Sequence, residues 1–104
     1  MSENSRAIKV NVTFRNTEAT DALRTYATEK LTHCLQKFIH RDTEAHVILK
    51  VEKNSQSAEI SLHADGADFH GKETSEDLYA SIDALVNSLT QQLRKHKEKL
   101  TQHH

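Results

Sequence analysis

The chain has no proline and no tryptophan, and its 104 residues include only two glycines, one cysteine and five aromatic side chains. Each scarcity excludes something. Without proline there is no polyproline segment and no stiff linker. With Gly66 and Gly71 alone there is no glycine-rich loop to cradle the phosphates of a nucleotide. A single cysteine, Cys34, cannot close a disulfide within the chain; together with the missing signal-like apolar run, it sets the expectation of a cytoplasmic protein in a reducing compartment. No stretch approaches the ~20 apolar residues of a membrane helix, so no membrane partner is expected. The length fits a single domain over 1–104, with an ordered core expected at about 7–100.

What is present is periodicity. Ile8, Val10, Val12 and Phe14 alternate with polar residues from Ala7 to Arg15, the pattern of a half-buried strand. From Thr20, a capping residue, the period changes to three and four through Leu23, Tyr26, Ala27, Leu31, Cys34, Leu35 and Phe38, which predicts an amphipathic helix ending near Ile39. Alternation returns over His46 to Glu52, and Lys53-Asn54-Ser55-Gln56 supplies a turn. Ala58, Ile60, Leu62 and Ala64 form the apolar side of a third strand, and Asp65-Gly66 is a hairpin signal, because a type I′ turn needs positive φ at both central positions. A short fourth strand is expected over Ala67 to Lys72. After Thr74 and Ser75, either able to cap, Leu78, Ile82, Leu85, Val86, Leu89 and Leu93 mark a long second helix, with Glu76 and Asp77 in its expected first turn.

The predicted fold class is α+β: a two-layer β-α-β-β-β-α sandwich with a four-stranded, mostly antiparallel sheet and both helices on one face. In that arrangement His46, Ile48, Lys50, Glu59, Ser61, His63, Asp68 and His70 stand on the outer face of the sheet.

The formal net charge of −1 argues by itself against a polyanionic partner, but the charge is unevenly spread. Ala58 to Asp83 holds seven acidic residues and one basic one, whereas Arg94 to Lys99 holds four basic residues and one acidic one. Charges further apart than about 8 Å are screened from each other in physiological salt, so the local sign decides what docks. Arg94, Lys95, Lys97 and Lys99 can present several cations to a phosphate backbone, and Arg24, Lys30 and Lys37 add basic positions on the first helix. The bland alternative is a solvated helix end whose cations answer the C-terminal carbonyls.

Other constellations carry less. His46, His63 and His70 could converge on a metal, yet no CxxC or HExxH spacing is present and no metal or other cofactor is expected. Cys34 lies in the apolar stripe of the first helix and reads as a small buried hydrophobe. Tyr26 and Tyr79 read as core residues rather than as base-stacking platforms. No nucleophile elbow is present, so no enzymatic activity is expected.

The segment Phe69-His70-Gly71-Lys72-Glu73-Thr74-Ser75-Glu76-Asp77-Leu78-Tyr79-Ala80-Ser81-Ile82-Asp83, followed by Leu89, Gln92-Leu93 and Lys95-His96-Lys97, resembles the bacterial ribosome hibernation-promoting and ribosome-associated inhibitor proteins. Their last helix opens with an acidic-Asp-hydrophobic-Tyr-x-Ala-Ile-Asp pattern and ends in a Gln-Leu-x-Lys run. His46-Val47-Ile48-Leu49 and the Thr20 helix start also fit in order and spacing, so the resemblance covers nearly the whole chain.

The resemblance implies the same fold and a non-enzymatic activity: binding the small ribosomal subunit and its 16S rRNA between head and body, over the messenger and transfer RNA sites. It carries Arg24, Lys30, Lys37, Lys95, Lys97 and Lys99 over as rRNA-binding residues, with Arg94 as an added contact. Family members commonly have a lysine and an arginine where this chain has Ser88 and Gln91, so its basic face is shorter. Asp21 replaces a frequent proline and suits a first helical turn. The length fits the short hibernation-promoting type, which implies a role in forming paired, inactive ribosomes with a separate ribosome modulation factor, and a monomer off the ribosome. Two rivals are a general double-stranded RNA-binding module and a protein-interaction or metal-binding domain that uses the outer sheet face.

Overall fold

The structure, a computed structural model, describes residues 7–101. Its elements follow the order β1 (Ile8–Arg15), α1 (Asp21–Phe38), β2 (Thr43–Glu52), β3 (Ser55–Ala64), β4 (Ala67–Ser75) and α2 (Leu78–Thr101). The strands lie in the sheet order β1-β2-β3-β4. β1 and β2 are parallel, joined through α1, and the two later pairings are antiparallel hairpins, so the α+β architecture is the expected one.

Alternation decides which sheet face is covered. Ala45, Val47 and Leu49 of β2, Ala58, Ile60 and Leu62 of β3, and Phe69 of β4 are buried against Leu31 and Leu35 of α1 and Ile82, Leu85 and Leu89 of α2. α1 packs on β1 and α2 packs on β3 and β4, so the helices lie side by side over one face. Gly71 permits the close approach of α2 to β4: a Cβ there would stand 3.2 Å from Leu85 Cδ1. Contacts advance together along the two helices, from Tyr26 with Asp83 to Cys34 with Thr90. The helices therefore run in the same direction and end at the same edge of the molecule.

Local chemistry sets most boundaries. Thr20, in extended conformation, accepts the Leu23 amide on Oγ1 at 3.2 Å and starts α1. Asp65 and Gly66 have φ of 55° and 76°, as the type I′ turn requires. In the β2–β3 turn, also of two residues, Lys53 takes φ 54°.

Four boundaries differ from the periodic reading. β2 begins at Thr43 rather than His46, because Thr43 and Ala45 are buried and pair with Ile8 and Val10, although neither is large and apolar. Ser55 and Gln56 belong to β3, which leaves Lys53 and Asn54 as the turn. β4 runs on to Ser75, with Glu73, Thr74 and Ser75 opposite Ala58, Ser57 and Gln56. Neither Thr74 nor Ser75 caps α2: the cap is Asp77, whose Oδ1 accepts the Tyr79 amide at 3.1 Å, while Ser75 Oγ accepts the Asp77 amide. Glu76 and Asp77 thus precede α2 rather than fill its first turn. At the other end, Thr101 is still helical where fraying is expected, and residues 102–104 lie outside the described part.

Ser81, completely buried on α2, ties the layers together by donating to the Gln56 carbonyl at 2.6 Å. Gln56 in turn accepts the Leu78 amide through its side-chain oxygen at 3.0 Å. None of the described helices is long and apolar enough to cross a membrane.

Candidate nucleic-acid interface

All seven basic residues singled out on the helices are exposed, but they do not form one row. Arg24 is already engaged: its Nη1 donates to the Val12 carbonyl at 3.0 Å, and its guanidinium lies 5.2 Å from the centre of the Phe14 ring. That contact fixes it over β1. At about 100° per residue, Lys30 stands roughly 120° around α1 from Arg24, on the side of α2, and Lys37 falls within about 20° of Lys30. Lys30 Nζ sits 5.4 Å from the Tyr26 ring centre. The structure thus groups Lys30 with Lys37 and separates Arg24 from them.

On α2, Leu93 is the last fully buried side chain described, and the cations cluster around the end of the helix that follows it. Arg94 and Lys97 lie three residues apart on the flank toward α1, and Lys95 and Lys99, four apart, lie on the opposite flank. Among the described residues, Lys37, Arg94, Lys95, Lys97 and Lys99 make no ion pair. On the same flank as Lys95, Gln91 is exposed and Ser88 half-buried.

The outer face of the sheet is organised differently. His63 Nδ1 lies 2.7 Å from Asp68 Oδ1, and His70 Nε2 lies 2.7 Å from Glu59 Oε2. Lys50 pairs with Glu52 at 3.6 Å, and Asn11 donates to Glu44. Among the described residues, no group of three or more His, Cys, Asp or Glu side chains could hold a metal ion.

The tyrosines correct the periodic reading. Tyr79 is 39% exposed, the one large hydrophobic side chain so exposed among the described residues, and Tyr26 is only partly buried. Their rings meet edge to face at 4.9 Å, and the Tyr26 hydroxyl donates to Asp83 at 2.6 Å. That hydrogen bond, with desolvation and the carboxylate charge, raises the Tyr26 hydroxyl above its usual range. Periodicity placed both residues on the stripe, but Tyr79 sits on its edge, where the sheet no longer covers it. Cys34 is buried as expected, 3.2 Å from Thr90 Oγ1, and burial pushes its thiol up. His96, given no role by the sequence, packs edge-on against Phe69 with ring centres 5.3 Å apart.

With this geometry the chain resembles a defined group of proteins. Residues 10–101 match the family model described as sigma 54 modulation protein / S30EA ribosomal protein. The chain is 41% identical over 96 residues to the ribosome hibernation promoting factor of Klebsiella oxytoca, covering 92% of this chain and 100% of that protein. It is 42% identical over 92 residues to the factor of the same name from Azotobacter vinelandii, covering 88% of this chain and 85% of that one. Among solved structures, the N-terminal domain of Thermus thermophilus Protein Y superposes with a TM-score of 0.76 at 31% identity, over 86% of this chain and 98% of that domain. A ribosomal subunit interface protein from Coxiella burnetii shares the fold, with a TM-score of 0.78 at 23% identity, over 86% of this chain and 98% of that one. A family match over nearly the whole sequence, on a fold whose two helices end together in unpaired cations, places the chain in the sigma 54 modulation protein / S30EA ribosomal protein family.

Proposed function

We propose that this protein is a ribosome hibernation factor: it binds the small ribosomal subunit over the messenger and transfer RNA sites, blocks translation and promotes inactive ribosome pairs. It works by occlusion and catalyses no reaction. The observation that carries the reading is the match to hibernation promoting factors along 92% of the chain. The physical support is the cluster of unpaired cations where the helices end, which suits a phosphate backbone.

In this reading Lys30, Lys37, Arg94, Lys95, Lys97 and Lys99 contact 16S rRNA phosphates. Arg24 acts mainly by bracing α1 on β1. A separate ribosome modulation factor cooperates in pairing ribosomes, and the protein acts in the cytoplasm as a monomer off the ribosome.

Co-sedimentation with purified small subunits across a salt series, paired with translation of a defined message, tests this. Binding that weakens steeply with salt and stops translation is the expected result. A protein that neither sediments with subunits nor lowers translation would refute the reading. Free duplex RNA competing as well as subunits would assign the chain to a general duplex-binding class instead.

A further inference from the structure

Where α1 and α2 end together, the tip of the β3–β4 hairpin closes a cavity of about 190 Å³. Phe38, Ile39, Leu93 and His96 line it, and Asp65 and Lys97, both exposed, stand at its mouth. Its size is below the roughly 300 Å³ at which drug-sized sites begin, and suits a single planar ring system. Its lining offers a phenyl ring and, with His40 added, two imidazoles, set against aliphatic groups. These are the surfaces on which proteins stack bases turned out of single-stranded RNA.

Two further observations narrow the occupant. The surroundings are cationic, with Lys37 and Arg94 close in sequence to the lining residues and, like Lys97, unpaired. Cations beside an apolar slot fit a ligand that is flat and uncharged at one end and anionic at the other. The Asp65 carboxylate, held at the mouth by the type I′ turn, can accept from the amino edge of a base.

We propose that this slot takes one unpaired nucleobase of the ribosomal RNA, stacked on Phe38, with its flanking phosphate on Lys97. The proposal rests on the ribosomal reading above and adds to phosphate binding a contact that distinguishes single-stranded from paired RNA. An apolar side chain of a protein would fill the same volume but would leave the cations unanswered.

The test uses the full chain. In a methyl and aromatic NMR titration, short unpaired oligoribonucleotides should shift Ile39 and Leu93 methyl signals and Phe38 ring signals, whereas a blunt RNA duplex of equal charge should move only the lysine region. On small subunits, Phe38→Leu keeps an apolar helix former but removes the aromatic face. It should weaken binding about fivefold or more while leaving the slope of log affinity against log salt unchanged. Lys97→Ala should instead lower that slope by about one. Equal shifts from the duplex, equal shifts from a phosphate-free apolar peptide, or wild-type affinity in a folded Phe38→Leu would each overturn the slot while leaving subunit binding intact. Failure of the wild-type protein to bind subunits would bring down the ribosomal reading and the slot together.

Discussion

On the outer face of the sheet, polar side chains pair with carboxylates, His63 with Asp68, His70 with Glu59 and Lys50 with Glu52, while Lys9, Arg15 and Lys72 of the strands make no ion pair among the described residues. The strands carry Lys9, Arg15, Lys50 and Lys72 against Glu44, Glu52, Glu59, Asp68 and Glu73, close to balance. The helices carry seven basic side chains against Asp21, Glu29, Asp83 and Glu98, and none of the seven has an ion-pair partner among the described residues, although Arg24 and Lys30 lie over aromatic rings. Exposed pairs contribute only about 0–1 kcal/mol each, so the contrast says little about stability. It says which surface still has charge to offer. A net charge of −1 is compatible with a polyanionic partner because the acidic groups are concentrated elsewhere.

The strongest test of that contrast is to reverse it. Lys95→Glu with Lys99→Glu should weaken subunit binding by on the order of tenfold to a hundredfold at moderate salt, whereas Lys50→Glu should stay within about twofold. Equal losses in a co-sedimentation assay would show that the sheet face, too, meets the RNA.

Both surfaces depend on the layers staying locked, and Ser81 is the buried tie between them. Ser81→Ala leaves the Gln56 carbonyl without that donor and should lower the unfolding free energy by about 1–3 kcal/mol in urea titration. Subunit affinity extrapolated to the folded fraction should stay unchanged.

Gln91→Arg sharpens the comparison in the opposite direction. Gln91 is exposed on the flank of Lys95, so a cation there should extend the basic face. Binding should tighten severalfold, and the salt slope should steepen by about 0.7–0.9 for the added phosphate contact. A tighter complex with an unchanged slope would mean that the arginine reaches something other than phosphate.

The smallest expected effect is on pH dependence. Burial pushes the Cys34 thiol up, with the Thr90 hydrogen bond and the Lys37 charge opposing. The unfolded thiol loses its proton first, so above about pH 8.5 the unfolded state binds fewer protons than the folded one. Stability that is fully present below that pH should fall as pH rises toward the folded value, and Tyr26, held by Asp83, acts in the same direction above about pH 10. Urea unfolding between pH 7 and 10 measures the decline, and Cys34→Ala should flatten it below the tyrosine range.

Periodicity was enough for every element because one face of each is buried: Ile60 and Leu62 two apart on a strand, Ile82, Leu85 and Leu89 three and four apart on a helix. It misjudged β2 and β4 at their ends, where Thr43, Glu73 and Ser75 are held by ladder partners rather than by their own hydrophobicity. It misjudged the α2 cap for a related reason: Ser75 is occupied as the last ladder residue of β4, and Asp77 is the next side chain able to reach a free amide. The basic residues were legible as charges on helices. That Arg24 faces β1 while Lys30 and Lys37 face α2 was not, because a helical repeat gives angles around one axis and not the neighbours on either side.

The sequence by itself determined the order of elements, the covered face of each, the Asp65-Gly66 turn and the position of the basic run at the end of the last helix, since these follow from spacing and local chemistry. Only the tertiary structure decided which charges are answered, that Tyr79 is exposed, and that Phe38, Asp65 and His96 enclose one cavity. These residues are distant in sequence. They meet because two parallel helices end together over the tip of a hairpin.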